Sequence, residues 1–218
     1  MTDFQIHLTE QRANKIKDLA SRRQLDLAVV LENVHDPHNI GAVMRTCDAV
    51  GIPRMYMIVT DARVWEKIEL GINASSGARK WVDVFVYDDC RRCFNDIRQH
   101  CNKIIGTHLS TSSTSLYDVD FLESTAIVFG NEHSGLSEEV IKQLDGNFVI
   151  PQFGMVQSLN ISVACAVSCY EALRQRVEAG IYENHEMSVE QKALHQDYRS
   201  RNLNQHKGQF ARIISNKK

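Results

Sequence analysis

No stretch of this chain approaches the ~18 consecutive apolar residues of a membrane-crossing helix. Its polar start, Met1-Thr2-Asp3, is unlike a secretory signal. The expectation is a cytoplasmic protein, whose six cysteines (Cys47, Cys90, Cys93, Cys101, Cys165 and Cys169) are reduced thiols rather than a disulfide framework. No G-x-G-x-x-G occurs, which removes the main support for a dinucleotide-binding reading. No Gly-Lys-Ser/Thr follows a glycine turn, which excludes a phosphate loop. Metal-ligand spacing is missing too: Cys90, Cys93 and Cys101 fall on one helical pattern without a second ligand pair, so no metal is expected. Nor is there a Ser/His/Asp arrangement, an internal repeat or a low-complexity segment.

What is present suffices for one full core with extensions: 218 residues, 43% of them hydrophobic. The net charge of −2 hides an asymmetry. Residues 1–24 carry five Lys/Arg against three Asp/Glu, residues 174–218 nine against five, and the stretch between them eleven against nineteen. Basic ends on an acidic middle fit either contact with an anion through the ends or ordinary solvated helix faces.

Residues 10–23 read as an amphipathic helix, with Ala13, Ile16, Leu19 and Ala20 on one side. Short apolar, β-branched runs follow at 27–31, 55–59, 82–86, 103–107, 126–129 and 148–150. Helical patterns at 40–50, 89–101, 115–123, 136–144 and 159–179 alternate with them. Buried strands alternating with helices predict an α/β fold, a parallel sheet with helices on both faces. The tail from Asn184 is polar, with a helix expected at 189–198, packed outside the core.

Three turns share one build: an apolar run, a polar or glycine-bearing turn, then a helix. The first runs from Asn33 through Asn39 to Arg45 and Thr46. Ile40, Val43, Cys47 and Val50 make an apolar stripe, and Arg45 points roughly 140° away from Ile40 at about 100° per residue. Asn39 is well placed to cap that helix. The second turn is Gly130-Asn131-Glu132-His133-Ser134-Gly135-Leu136-Ser137, whose glycines let backbone come close to a ligand. The third, Ile150-Pro151-Gln152-Phe153-Gly154-Met155-Val156-Gln157-Ser158-Leu159-Asn160-Ile161-Ser162, concentrates polar side chains before an apolar helix. On local grounds Ser158 is an N-cap and Asn160 a turn residue. The alternative is that all three turns line one composite site.

At these turns the sequence resembles the SpoU/TrmH class of the SPOUT superfamily, AdoMet-dependent RNA ribose 2′-O-methyltransferases. Asn39 with Arg45 matches the first family motif, Gly130-Asn131-Glu132 through Gly135-Leu136-Ser137 the second, and Pro151 through Ser158-Leu159-Asn160-Ile161-Ser162 the third. The flanks Leu19-Ala20-Ser21-Arg22-Arg23-Gln24-Leu25-Asp26-Leu27 and Glu32-Asn33-Val34-His35-Asp36-Pro37-His38-Asn39 are similar to the branch that methylates guanosine 18 in the tRNA D-loop. The resemblance implies a parallel sheet flanked by helices with a C-terminal deep trefoil knot. It divides the chain into an N-terminal helical extension (1–24), a methyltransferase core (25–176) and a basic, helical C-terminal extension (177–218). It also implies a homodimer formed through the knot.

The resemblance assigns Arg45, Asn39, Glu132, Ser158 and Asn160 to catalysis. It gives S-adenosyl-L-methionine a pocket of Thr107, Leu109, Gly130, Ile150 and Leu159. The basic ends become the tRNA contacts: Arg12, Lys15, Lys17, Arg22 and Arg23 before the core, then Arg174, Arg176, Arg199, Arg201, Lys207 and Arg212. A different target, another tRNA position or ribosomal RNA, keeps the same chemistry. A non-catalytic RNA-binding protein of this fold is a third reading, against which the joint presence of the five catalytic candidates argues. An arginine acting as a literal base at pH 7 has a physical problem. Neutralising it costs roughly 7.5–9 kcal/mol, from an ordinary pKa of ~12.5–13.8 at about 1.36 per unit. A charged Arg45 that binds phosphate and stabilises a developing alkoxide is the better expectation.

Overall fold

The computed structural model describes residues 8–60, 73–110, 113–156, 158–183, 186–203 and 211–214. Eight strands are β1 (Leu27–Glu32), β2 (Arg54–Ile58), β3 (Asp83–Tyr87), β4 (Lys103–Thr107), β5 (Thr114–Ser115), β6 (Thr125–Phe129), β7 (Gly146–Val149) and β8 (Ala211–Ile214). They form one sheet in the order β5-β7-β4-β6-β1-β2-β3-β8, with every neighbouring pair parallel. The helices are α1 (Glu10–Ser21), α2 (Pro37–Ala49), α3 (Cys90–Ile97), α4 (Glu138–Ile141), α5 (Ile161–Glu178) and α6 (Val189–Leu203).

The central strands β1 and β6 are buried at every residue, as strands covered on both faces must be. Alternation along β1 feeds two cores. Val29 and Leu31 join Met55, Met57, Ile127 and Phe129 beneath Val43 and Cys47 of α2 and Cys165, Cys169 and Ala172 of α5. Ala28 and Val30 join Tyr56, Ile58 and Val128 against Cys90, Cys93, Phe94 and Ile97 of α3 and Val140 of α4. A third, smaller cluster pins α1 to α6 through Ile16, Ala20 and Tyr198, with Leu19, Trp81 and Leu194 packed around them.

All six expected strands form, and several expectations need correcting. The helix expected over 115–123 is one 3-10 turn at Leu116–Asp118, because Leu116, Val119 and Phe121 all turn into the core at a spacing no single helix face supplies. The pattern over 136–144 yields only the four residues of α4. The expected tail helix forms as α6 and packs on α1 outside the two main cores, but Ala211–Ile214 was not expected: as β8 it pairs with β3 and extends the sheet edge. Both cap assignments change as well. Asp36 caps α2 by accepting from the His38 N–H at 2.9 Å, with Pro37 as the first helical residue, so Asn39 lies inside the first turn. Asn160, not Ser158, caps α5, accepting from the Ser162 N–H at 2.9 Å and the Ser162 hydroxyl at 2.6 Å.

Candidate active site

Thr107 ends β4, Gly130 follows β6 and Ile150 follows β7. Because β7, β4 and β6 are parallel neighbours, these three positions lie side by side at the carboxyl edge of the sheet. That edge is where parallel α/β sheets bind ligands. The turn after β1, which leads into α2, is the next along because β1 pairs with β6.

Asn39 joins the three turns. Released from capping and largely buried, it donates from Nδ2 to Glu132 Oε1 at 2.8 Å and accepts at Oδ1 from Asn160 Nδ2 at 3.1 Å. One side chain from each turn therefore meets in a single chain, Glu132–Asn39–Asn160. Glu132 keeps solvent exposure, and so does Asn160. Arg45 stands on the exposed face of α2, six residues beyond Asn39 or about 9 Å along the axis. Among the described residues it has no ion pair or hydrogen bond, so its charge is available to a ligand. Ser158 is exposed and has no hydrogen-bond partner among the described residues; the structure does not bring it into the Asn39 chain. Gln157 lies outside the described residues.

The second turn is tight. Asn131 and Gly135 exchange backbone hydrogen bonds at 3.0 and 2.9 Å, with Gly135 at a φ of 66°. A Cβ on Gly130 would lie 2.3 Å from the Gly135 carbonyl carbon and 2.5 Å from the Leu136 nitrogen, so only glycine allows this closure. The turn is stitched to its neighbour through Asn131 and Glu32, neither of them among the expected site residues. Asn131 Nδ2 donates to the Asn33 carbonyl at 2.8 Å and lies 3.0 Å from His35 Nδ1. Buried Glu32 accepts from the Ser137 N–H at 2.9 Å. One sequence signal could have found Glu32: a charge ending a fully buried strand needs a partner.

The residues expected around the cofactor suit a ligand held by backbone edges. No hydrogen bond joins the backbone of residues 151–156 to the other described residues, so its N–H and C=O groups are open. Leu109 is 82% exposed in the loop after β4, while Ile150 packs against the main core and Leu159 is half-buried. Asn147 of β7 organises that loop, its Nδ2 lying 2.8 Å from the His108 carbonyl, 3.0 Å from Ser110 Oγ and 2.7 Å from Ser113 Oγ. Open backbone beside apolar side chains is the donor set that an adenosine and a short aliphatic chain require.

The cations expected to meet RNA divide sharply. Arg23 and Arg176 are each 1% exposed and are corrected to structural roles. Arg23 pairs with Asp48 at 2.5 Å and donates to the Trp81 carbonyl at 3.0 Å. Arg176 pairs with Asp26 at 2.7 Å and donates to the Gln24 side chain and the carbonyls of Phe121 and Glu123. Arg201 is mostly enclosed between Asp83 and Asp197, and Arg174 is held by Glu171 and Glu178 on its own helix. Arg12 lies over the Trp81 ring, 5.4 Å from its centroid. Lys15, Lys17, Arg22 and Arg199 are exposed. Lys207 is outside the described residues, and only the backbone of Arg212 is described.

The thiols are packing groups. All six are buried, and burial pushes Cys90 and Cys101 up to about 12, far from the reactive thiolate. Among the described residues no group of three or more His, Cys, Asp or Glu could hold a metal, and no helix is long and apolar enough to cross a membrane.

Comparison with known proteins agrees with this geometry. The model of the SpoU rRNA Methylase family matches residues 26–170. A tRNA (guanosine(18)-2′-O)-methyltransferase of Thermus thermophilus is 41% identical over 182 residues, 84% of this chain and 92% of that protein. The Escherichia coli enzyme of the same name is 36% identical over 171 residues, 78% of this chain and 73% of that one. The crystal structure of the A. aeolicus TrmH/SpoU tRNA modifying enzyme superposes with a TM-score of 0.76 at 35% identity, covering 88% of this chain and 96% of that one. With the family model spanning most of the sheet and all three turns, this chain belongs to the SpoU methylase family.

Proposed function

We propose that this protein methylates the ribose 2′-hydroxyl of guanosine 18 in the D-loop of tRNA, using S-adenosyl-L-methionine. The observation that carries the reading is Asn39 bridging Glu132 and Asn160, which draws the three turns of a SpoU methylase into one site on the helix that bears Arg45. The relatives that match over most of both chains carry this activity in their names.

Thr107, Leu109, Gly130, Ile150 and Leu159 would hold S-adenosyl-L-methionine, which would supply a sulfonium-bound methyl group for transfer to the ribose oxygen. The residues of the chain have two tasks, alignment and charge. Asn39 orients the 2′-hydroxyl from a position that Glu132 and Asn160 hold rigid. Alignment of this kind is worth on the order of 7–11 kcal/mol of barrier in well-oriented systems. Arg45 remains charged, binds the nucleotide's phosphate and stabilises the oxygen as its proton leaves. Ser158 shapes the rim of the pocket.

The remaining features fit the same reading. Val163, Tyr170 and Val177 recur every seven residues along α5, so they share a face, and all three are exposed. Phe153 and Met155 are exposed as well; a second copy of the chain would cover these apolar groups, giving a homodimer through the threaded, knotted passage from the second turn to the third. Residues 1–24 and 177–218 act as extensions of a 25–176 core. They present Lys15, Lys17, Arg22 and Arg199 to tRNA in the cytoplasm.

The test is methyl incorporation from labelled S-adenosyl-L-methionine into tRNA transcripts with guanosine 18 intact, replaced by another base, or carrying a 2′-deoxyribose. Transfer only to the intact transcript supports the reading. Transfer to all three moves the target elsewhere, and binding without transfer to any RNA makes the protein a non-catalytic binder.

A further inference from the structure

Asn131 and His35 carry none of the roles assigned so far, yet they sit where the first and second turns touch. Asn131 is 8% exposed, and its carboxamide has four neighbours. On one side the main-chain N–H groups of His133 and Ser134 point at it from 2.9 and 3.3 Å. On the other lie the Asn33 carbonyl at 2.8 Å and His35 Nδ1 at 3.0 Å. Two N–H donors must face an oxygen, which settles the orientation of the amide. Nδ2 is then left facing Asn33 and His35. An amide nitrogen only donates, so His35 Nδ1 must accept. The imidazole therefore carries its proton on Nε2 and is uncharged when this contact is made.

Asn33 is itself held in place. It adopts a φ of 49°, a left-handed conformation that asparagine tolerates better than most residues. Its side chain is engaged with Thr60, donating to the hydroxyl at 2.8 Å and accepting from the main-chain N–H at 3.0 Å. A continuous set of contacts thus runs from Thr60, two residues past β2, through Asn33 to Asn131, which His35 meets from the same turn. Asn131 is covalently next to Glu132, whose carboxylate accepts from Asn39.

We infer that His35 is a positioning residue, whose Nδ1, accepting from Asn131, locks the second turn to the first at the separation that lets Glu132 reach Asn39. It rests on the methyltransferase reading for its kinetic consequence, but not for its chemistry. With Nδ1 engaged and Nε2 protonated, His35 is not the acceptor of the substrate's proton in this arrangement. Its effect passes through Glu132 and Asn39.

The test compares His35→Leu with His35→Asn, whose Oδ1 occupies about the place of Nδ1 and also accepts. Misplacement of a reacting group by about 1 Å costs on the order of 100-fold in rate. His35→Leu should lower kcat for methyl transfer roughly 10- to 100-fold, with the Kd values for S-adenosyl-L-methionine and tRNA within about 2-fold of wild type. His35→Asn should recover most of the lost kcat. A leucine variant with full kcat, or an asparagine variant no better than the leucine one, overturns the inference. Nitrogen NMR of the imidazole in the wild-type protein reports the tautomer without any turnover. A proton on Nδ1 overturns the inference even if methylation proceeds. A protonated Nε2 with a bare Nδ1 that becomes a tautomer mixture in Asn131→Ala supports the contact even if the wild type transfers no methyl to tRNA, an outcome that counts against the activity alone.

Discussion

Helix α5 ends in a polar network on each side, and the two are built on opposite plans. At its N-terminus Asn160 reaches Asn39, which reaches Glu132; the outer members of that chain face solvent and bear a single formal charge. At its C-terminus Arg176 is sealed inside the fold, paired with Asp26 and donating to three further oxygens. Both networks tie segments that are distant in sequence. The enclosed one satisfies every donor it can and leaves nothing for a ligand. The open one leaves exposed groups, on the same helix as an Arg45 that has no ion pair among the described residues. A site differs from a clasp less in its residue types than in whether its groups are already used.

Removing the clasp should have the largest effect. Arg176→Ala deletes a buried cation and leaves the Phe121 carbonyl and the Gln24 side-chain oxygen without their donor, while the Glu123 carbonyl keeps only the Thr125 hydroxyl. Breaking such a pair costs about 3–5 kcal/mol, and because the Asp26 side chain is 45% exposed and can turn to water, the lower end applies. Urea unfolding should show a loss of about 3 kcal/mol. Stability within about 0.5 kcal/mol of wild type together with weakened tRNA binding would return Arg176 to the RNA surface and erase the contrast.

Arg45→Ala should show the reverse pattern. An exposed arginine with no ion pair among the described residues contributes little to folding, so stability should change by no more than about 0.5 kcal/mol. Loss of a group that stabilises developing charge should lower kcat by roughly 100- to 1,000-fold. Arg45→Lys keeps the charge and should retain part of the activity. If lysine is as inactive as alanine while tRNA and S-adenosyl-L-methionine still bind, geometry or a base role replaces the charge role.

The same contrast explains what was legible in the sequence. Buried parallel strands are short continuous apolar runs, so all six major strands could be read. Of the strands missed, Thr114–Ser115 has only two polar residues, and in Ala211–Ile214 the charge of Arg212 interrupts the apolar run. The recurrence of polar residues in three strand-turn-helix units raised a composite site, but only the family resemblance singled out Asn39, Glu132 and Asn160. The caps were not legible: Asp36 and Asn39 suit the start of α2 equally well, and only the distant Glu132 and Asn160 decide between them. The arginines were least legible. Arg22 and Arg23 are adjacent, yet one is exposed and the other pairs with Asp48. A sequence displays charge but not whether a partner is waiting.

Asn160 belongs to both plans, as helix cap and as member of the open chain, so two substitutions can separate its roles. Asn160→Ala should cost about 1 kcal/mol of stability through the cap. It should also lower kcat, because Asn39 loses its donor. Asn160→Ser can still cap α5 but is too short to reach Asn39, so it should restore stability without restoring kcat. If both return together, the contact to Asn39 is incidental to turnover.

The smallest effects should come from the exposed cations on α1 and α6. His195 is held below the ordinary histidine value first by burial and then by the charges of Arg199 and Lys17. Phosphate contacts of this kind release counterions, so Lys17→Ala and Arg199→Ala together should reduce the slope of log affinity for tRNA against log salt by up to about 1.8, at roughly 0.9 per contact. Binding of S-adenosyl-L-methionine should not change. The double variant should also raise the His195 pKa toward 6.5, readable by NMR titration. The sign follows from the depressed value: the folded chain takes up this proton later than the unfolded one. This histidine therefore subtracts stability as pH falls through 6.5 toward its folded value, and less so once the two cations are gone. An unchanged salt slope with a shifted His195 would leave the two charges where the geometry puts them and remove tRNA from that face.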